Sequence, residues 1–216
     1  MFIGHFAVAL GAKRAVPAIP LGLLVGAAIG LDLLWPVLLL AGLESARIDP
    51  GNTAFTPLAF DSYPWSHSLV MSIVWGALVA VLAFPRLKSA GAAALVAAVV
   101  VSHWVLDYVT HRADMPLWPG GPKQGLALWN SIPGTLIVEG LLFGAAVYLY
   151  VAAFPARDRT GKWAFWVVIA LMTLMWVTSP WSPPPPGLRA VAVAGVAMWL
   201  FPLWAAWVER HRGVSR

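Results

Sequence analysis

Long apolar segments dominate this sequence and constrain its fold more than any other feature. Six candidate segments cover residues 18–43, 67–84, 89–111, 132–154, 163–179 and 188–208. A helix needs about 20 residues to cross the hydrocarbon core of a bilayer, so each segment is long enough, or nearly so. Only 11% of the residues are charged, against roughly 25% in a typical soluble domain. The sequence therefore predicts an all-α fold, a polytopic membrane bundle of about six transmembrane helices.

Shorter features complete this prediction. Residues 1–12 are apolar but too short to cross a bilayer, so we expect a short N-terminal half-helix that packs against the bundle. The sequence shows no internal repeat and no soluble domain, which makes residues 1–216 a single integral membrane domain. Cysteine is absent, and this excludes disulfides, thiolate zinc sites, iron–sulfur clusters and a cysteine nucleophile.

The basic residues indicate an orientation in the membrane. If the turn that follows the half-helix faces the cytoplasm, alternation across six spans places ten of the 14 Lys and Arg residues on that side. These are Lys13, Arg14, Arg86, Lys88, Arg157, Arg159, Lys162, Arg210, Arg212 and Arg216. By the positive-inside rule, we expect both termini to face the cytoplasm of the inner or plasma membrane. The net charge of +5 is then a consequence of topology, and we expect no nucleic-acid partner.

A few polar side chains lie within or beside the apolar segments, where they are costly and usually mark a functional interior. They are His5, Asp32, His67, His103, Asp107 and Glu139. With a rise of about 1.5 Å per helical residue, Asp32 and His103 each lie roughly 21 Å from the cytoplasmic end of their spans. Asp107, Glu139 and His67 fall at a similar depth. The sequence therefore predicts that these groups converge in the outer half of the bundle.

The spacing of His103 and Asp107 suits metal coordination. Residues four apart share one face of a helix, so an imidazole nitrogen and a carboxylate oxygen point the same way. Together with His5, Asp32 and His67, they form a nitrogen and oxygen donor set that suits Zn, with Mn or Fe as alternatives. The sequence predicts a divalent metal site at these five residues.

Other interpretations of the same residues stay open. His103 and Asp107 can form a hydrogen-bonded clamp between helices, and Asp32 can pair with Lys13 or Arg112. His111 continues the face of His103, but its position next to Arg112 favours the membrane interface over metal ligation.

Several short motifs together resemble a known family. They are Gly4-His5-Phe6, Asp32 in the first span, Ser66-His67-Ser68, and His103-x3-Asp107-x2-Thr110. In this order they resemble the inner-membrane-associated, metal-dependent hydrolases called YdjM-like and once called LexA-binding. The resemblance covers about residues 1–140, and the last two spans, residues 163–208, carry no recognised motif.

The resemblance implies that His5, Asp32, His67, His103 and Asp107 bind metal and that Thr110 fills a small polar position. The chain also departs from the family pattern at two places. Family members often have a Pro-Asp-x-Asp step, where this chain has Asp32 as its one acidic residue, and this favours one metal ion over two. They often have His-Arg-x-x-Thr-His-Ser, where this chain has Tyr63-Pro64-Trp65-Ser66-His67-Ser68.

These features favour a metal-dependent membrane hydrolase. Glu139, or Asp61 from the long outer loop 44–66, is the candidate general base. The candidates for holding a phosphate or carboxylate of the substrate are Arg112, Lys123 and Asn130, in or beside the outer loop 112–131. A site at lipid depth favours a lipid-like phosphoester or acyl ester, so membrane lipids and an amphiphilic small molecule are the expected partners. The sequence identifies no soluble partner.

Two other functions compete with hydrolysis. Intramembrane Asp, His and Glu residues are also typical of proton-coupled transporters, although such proteins often contain inverted repeats and bind at the membrane midplane. A non-catalytic scaffold subunit would use the same polar groups for helix packing and the aromatic outer loops for docking.

Overall fold

The computed structural model describes residues 1–213, and 69% of the chain is helical. Within residues 1–213 the α-helices are α1 (Phe2–Ala15), α2 (Leu21–Ala28), α3 (Gly30–Leu40), α4 (Pro64–His67), α5 (Leu69–Leu87), α6 (Ala90–Thr110), α7 (Ile132–Ala153), α8 (Arg159–Thr178), α9 (Leu188–Ala197) and α10 (Leu200–Arg210). The strands are β1 (Ser45–Ile48), β2 (Leu58–Ser62), β3 (Met115–Pro116) and β4 (Lys123–Gln124). The all-α prediction is confirmed. Arg216, which we assigned to the cytoplasmic side, lies outside the described residues.

The long helices reproduce the predicted number of spans. In the described part of the chain, α5, α6, α7, the stretch Arg159–Trp181 and the stretch Leu188–Arg210 are each long and apolar enough to cross a membrane. The pair α2 and α3 passes the same test when it is taken together. Counting this pair as one span gives six, in agreement with the six apolar segments of the sequence.

The first span, predicted as one apolar stretch over residues 18–43, is bent. α2 ends at Ala28, α3 begins at Gly30, and the two are bent by 54°. Gly30 weakens the helix at this point, and Pro36 has no N–H to donate to the carbonyl of Asp32 one turn earlier. The bend brings the carbonyl oxygen of Ala28 to within 2.8 Å of His103 Nδ1.

The short helix α1 lies inside the bundle, as predicted, and packs against α2, α6 and α7. Lys13 near its C-terminal end pairs with Glu209 of α10. At its other end the amine of Met1 is buried and contacts the carboxylate of Asp107. Met1 therefore lies at the Asp107 end of the bundle, whereas we expected both termini on the side of the basic turns. The reason is that α1 starts inside the protein instead of crossing it.

Basic side chains gather at the end of the bundle away from Asp107. Besides the Lys13–Glu209 pair, Arg212 is buried and donates hydrogen bonds to the carbonyl oxygens of Phe154 and Gly161, both at 2.8 Å. Turns that are distant in sequence are thus tied together at one end. The basic turns therefore lie at one end of the bundle, as the alternation of the six spans predicted.

The two long connections, residues 44–66 and 112–131, are folded segments that lie at the opposite end. β1 pairs with β2 and β3 pairs with β4, each as an antiparallel hairpin. Lys123 Nζ donates a hydrogen bond to the carbonyl oxygen of Asp61 at 2.8 Å, which links one hairpin to the other. These connections place short polar segments over the ends of α3 and α6.

Candidate metal centre

Four helices deliver the five predicted ligands to one place. His5 comes from α1, Asp32 from α3, His67 from the end of α4, and both His103 and Asp107 from α6. The side chains are almost completely buried, except for Asp32, which is 29% exposed. We call these five residues the His/Asp cluster.

The Asp107 carboxylate lies at the centre of the cluster. Its Oδ1 atom is 3.2 Å from His5 Nε2 and also contacts the amine of Met1. Its Oδ2 atom is 3.1 Å from His103 Nε2 and 3.8 Å from His67 Nε2. Every imidazole of the cluster therefore directs its Nε2 atom towards this one carboxylate.

Asp32 adds a second carboxylate on the other side of the imidazoles. Its Oδ1 atom is 3.5 Å from His67 Nε2 and 3.7 Å from His103 Nε2. It does not pair with Lys13, which is engaged by Glu209 and by the carbonyl oxygens of Pro17 and Ile19. Its location in the first turn of α3, directly after the bend, is what directs it to the cluster.

The ring of His103 is fixed by a backbone acceptor. Its Nδ1 atom donates to the carbonyl oxygen of Ala28 at 2.8 Å, so the proton of a neutral ring is on Nδ1. Nε2 then carries a lone pair, and it has no hydrogen-bond partner in residues 1–213. A lone pair that lies 3.1 Å from a carboxylate oxygen is repelled unless a cation or a proton sits between them.

His67 is held by a short chain of hydrogen bonds. The hydroxyl of Ser66 is 2.7 Å from His67 Nδ1 and donates to Glu44 Oε2, also at 2.7 Å. Glu44 Oε1 accepts from the backbone N–H groups of Trp65 and Ser66. The neighbouring Ser68, rather than Ser66, caps α5. Ser66 and Glu44 therefore orient a cluster histidine, and the sequence had not indicated this role for Glu44.

His5 stacks on His103 with ring centroids 3.6 Å apart and an angle of 5° between the planes. The described residues offer neither of its ring nitrogens a hydrogen bond. Buried polar atoms are rarely left without a partner. An imidazole in this state is a strong candidate for metal ligation.

The donor set fits a divalent cation. His5, His103 and Asp107 each offer one ligand atom within 4.8 Å of the others, and so do Asp32, His67 and His103. Two atoms that bind one ion through bonds of about 2.0–2.2 Å can lie at most about 4.4 Å apart, and the His–Asp pairs of the cluster, at 3.1–3.8 Å, satisfy this limit. Imidazole and carboxylate donors suit Zn, Mn or Fe. His103 belongs to both groups, which is consistent with a single site.

Glu139 is buried close to the cluster. It projects from α7, and the indole of Trp129 and the backbone of Gly4 lie next to its carboxyl group. Neither of its carboxyl oxygens has a hydrogen-bond partner within the part of the chain that the structure describes. This candidate base is thus near Asp107, as its depth in the sequence predicted.

The other loop residues that we singled out lie at the exposed rim. Asp61 forms an ion pair with Arg47 on the surface, so its carboxylate is engaged outside the cluster. Lys123 and Asn130 are exposed on the second connection. Arg112 is half-exposed, with its Nε atom 3.6 Å from Asp114 Oδ2. The structure therefore brings Glu139 to the cluster and leaves Asp61 at the surface.

His111, for which the sequence favoured the membrane interface over metal ligation, lies buried next to the cluster. It is only 4% exposed, and its Nε2 atom is 4.0 Å from Asp107 Oδ2. The side chain is buried because the second connection folds back over the end of α6. The ring of Trp129 from that connection packs on His111 with centroids 4.3 Å apart. The sequence signal was present, since His103, Asp107 and His111 are spaced by four residues.

The fold and the cluster together define a polytopic membrane protein with a buried group of histidines and carboxylates that can hold a metal ion. Over residues 2–182 the sequence matches the family described as YdjM inner membrane protein, and the chain belongs to that family. The resemblance based on the motifs is therefore confirmed, and the match extends past residue 140 through α8. No curated protein and no solved structure gives a significant match.

The burial of Glu139 leads to a stability prediction. A buried carboxyl group without hydrogen bonds costs roughly 1–3 kcal/mol in proteins, so Glu139→Met, of similar volume, should unfold at the same temperature as the wild type or higher. The unfolding temperature of each detergent-solubilised variant is measured by heating samples and monitoring the loss of folded protein by size-exclusion chromatography. Thr135→Val serves as the comparison, one turn before Glu139 on α7. It removes a hydroxyl that donates to the carbonyl oxygen of Leu128 at 3.0 Å, and it should lower the unfolding temperature. A clear loss of stability in Glu139→Met would show that the carboxyl group is structural.

Proposed function

We propose that this protein is a metal-dependent membrane hydrolase whose centre is the His/Asp cluster. The observation that carries the proposal is the convergence of three Nε2 atoms on the Asp107 carboxylate at 3.1–3.8 Å. A clamp between helices would satisfy these atoms with hydrogen bonds. His5 and His103 instead keep Nε2 atoms without a hydrogen-bond partner in residues 1–213, as ligands of a metal ion do.

The residues have distinct roles in this proposal. His5, Asp32, His67, His103 and Asp107 hold one divalent ion, with zinc as the first expectation and Mn or Fe as alternatives. A bound ion supplies Lewis acidity, which polarises a scissile ester and acidifies water. Asp32, the most exposed member of the cluster, lies where substrate can approach.

Glu139 is the proposed general base. Its carboxyl group is close to Asp107, and neither of its oxygens has a hydrogen-bond partner among the described residues. A base of this kind typically contributes about 10²–10⁴-fold to the rate. Asp61 is a poorer candidate because Arg47 neutralises it at the surface.

The substrate is proposed to be an amphiphilic phosphoester or acyl ester. Asp32, His103 and Asp107 lie on helices that are long and apolar enough to cross a membrane, so a hydrocarbon chain can remain in the lipid while the ester reaches the metal. Arg112, Lys123 and Asn130 are exposed at the rim, and these groups can contact an anionic or polar head. Arg112 is the strongest of the three because Asp114, its neighbour at 3.6 Å, also contacts His111.

The bend between α2 and α3 favours a second candidate, a small transporter. Discontinuous helices that meet at a charged residue are typical of transporter binding sites, and Asp32 lies directly after the break. In a transporter the cluster would bind a cargo ion or proton. Uptake into liposomes without hydrolysis of lipid would support this alternative.

The proposed function predicts that metal and activity are lost together. Wild-type protein, purified without chelators, should contain about one divalent ion per chain and should release phosphate or fatty acid from mixed phospholipid vesicles. His103→Ala should lose both, because it removes the ring shared by the two possible groups of ligands. Elemental analysis and product assays measure these quantities.

His211→Ala is the matched control for this experiment. His211 lies at the basic end of the bundle and its Nδ1 atom pairs with Asp158 at 2.7 Å. Its replacement should leave metal content and hydrolysis unchanged. Wild-type protein that is free of metal, or equal losses in both variants, would contradict the proposal.

We also propose that the basic end of the bundle faces the cytoplasm, as the positive-inside rule suggests. Because the chain has no cysteine, a single introduced thiol reports one location. A membrane-impermeant maleimide added to intact cells should label Ser182→Cys, between α8 and α9, but not Ala156→Cys, between α7 and α8. Both residues are exposed. Labelling of Ala156→Cys alone would reverse the orientation.

A further inference from the structure

His111 lies next to the His/Asp cluster but is not part of the predicted ligand set. Its Nδ1 atom is 3.0 Å from Asp114 Oδ1, and its Nε2 atom is 4.0 Å from Asp107 Oδ2. Both His111 and Asp114 are buried. The ring therefore joins a buried carboxylate on its outer side to the central carboxylate of the cluster on its inner side.

Tyr63 fixes the proton of this histidine. Its hydroxyl donates to Asp114 Oδ1 at 2.9 Å and lies 3.3 Å from His111 Nδ1. The phenol hydroxyl is the donor in the contact with Asp114, because a carboxylate oxygen can only accept. Asp114 then accepts from both Tyr63 and His111 Nδ1, which leaves the lone pair of His111 on Nε2.

The same arrangement occurs at two cluster histidines. His103 donates from Nδ1 to a backbone carbonyl, and His67 donates from Nδ1 to the hydroxyl of Ser66. In each case Nε2 is directed at Asp107 Oδ2, at 3.1 Å and 3.8 Å, compared with 4.0 Å for His111. Histidines that bind metals usually donate their other ring N–H to an acceptor that fixes the tautomer.

The distance is also compatible with shared ligation. Two atoms that bind one ion through bonds of about 2.0–2.2 Å are separated by at most about 4.4 Å. The 4.0 Å between His111 Nε2 and Asp107 Oδ2 falls within this limit.

We propose that His111 is a further nitrogen ligand of the metal centre, with Asp114 and Tyr63 as the residues that position it. This inference rests on the proposed metal centre and adds a ligand from the outer connection. It also gives Asp114 and Tyr63 a role that acts through His111. The second connection, residues 112–131, thereby becomes part of the site.

The competing explanation is that His111 is a packing residue. Its ring contacts Trp129 at 4.3 Å and Phe60 at 5.0 Å between centroids. A packing role predicts that His111→Ala loses thermal stability equally with and without metal. A ligand role predicts that the stabilisation gained on adding metal shrinks, because the affinity for the ion falls.

The test is a measurement of metal affinity and coordination in the full-length protein. Zn²⁺ affinity is measured by competition with a chelator, and the visible absorption of the Co²⁺-loaded protein reports the ligand set. Tyr63→Phe, which removes one hydroxyl, should weaken Zn²⁺ binding about 10-fold, at the lower end of the range for residues that orient a ligand. His111→Ala should weaken it by at least as much and change the Co²⁺ spectrum.

A double variant separates positioning from direct effects. If Tyr63 acts through His111, Tyr63→Phe should have no further effect on affinity in the His111→Ala background. His211→Ala should match the wild type throughout. If His111→Ala does not fold, the Zn²⁺ affinity of the Tyr63→Phe variant decides the question. An affinity equal to that of the wild type would overturn the inference.

The outcomes also distinguish this inference from the proposed function. Wild-type protein that binds Zn²⁺, together with a His111→Ala variant of equal affinity and identical Co²⁺ spectrum, would overturn the role of His111 and leave the metal centre intact. Wild-type protein that binds neither Zn²⁺ nor Co²⁺ would overturn both.

Discussion

A carboxylate buried against imidazole nitrogens requires positive charge close by, and this requirement governs the Asp107 end of the bundle. Asp107 is 2% exposed and lies within 4.0 Å of four histidine Nε2 atoms. Isolated charges are too costly to bury at this depth without compensation. The Met1 amine supplies one positive partner. On the Oδ2 side the imidazoles present lone pairs, so that side of the carboxylate suits a cation with several nitrogen ligands.

The fold can be understood as the set of local arrangements that bring these donors together. The bend after α2 turns Asp32 towards the imidazoles and presents the carbonyl of Ala28 to His103. The half-length helix α1 starts inside the bundle and thus carries His5 to the same depth. The two outer connections supply groups that fix the rings, Glu44 through Ser66 for His67, and Asp114 for His111. Residues far apart in sequence therefore fix the tautomers of a single cluster.

Much of this could be predicted from the sequence, because membrane helices have a regular rise and polar residues inside them are rare. Depth along each span was enough to place Asp32, His103, Asp107 and Glu139 at one level. What could not be predicted depended on how loops fold over the helix ends. His111 was expected at the interface because nothing in the sequence shows that Trp129 covers it. Asp61 was a candidate base because the sequence does not show that it pairs with Arg47. That pairing depends on the register of the β1–β2 hairpin. The position of Met1 was missed for a related reason, since α1 begins within the bundle.

The central claim is that the His/Asp cluster binds a divalent metal ion through imidazole and carboxylate groups. X-ray absorption spectroscopy at the zinc edge of the purified, zinc-loaded protein tests it most directly. The account predicts a first shell of nitrogen and oxygen atoms at about 2.0–2.2 Å, with outer-shell scattering from several imidazole rings. Because the chain has no cysteine, there should be no sulfur in that shell. A shell of oxygen atoms alone, without imidazole scattering, would contradict the account.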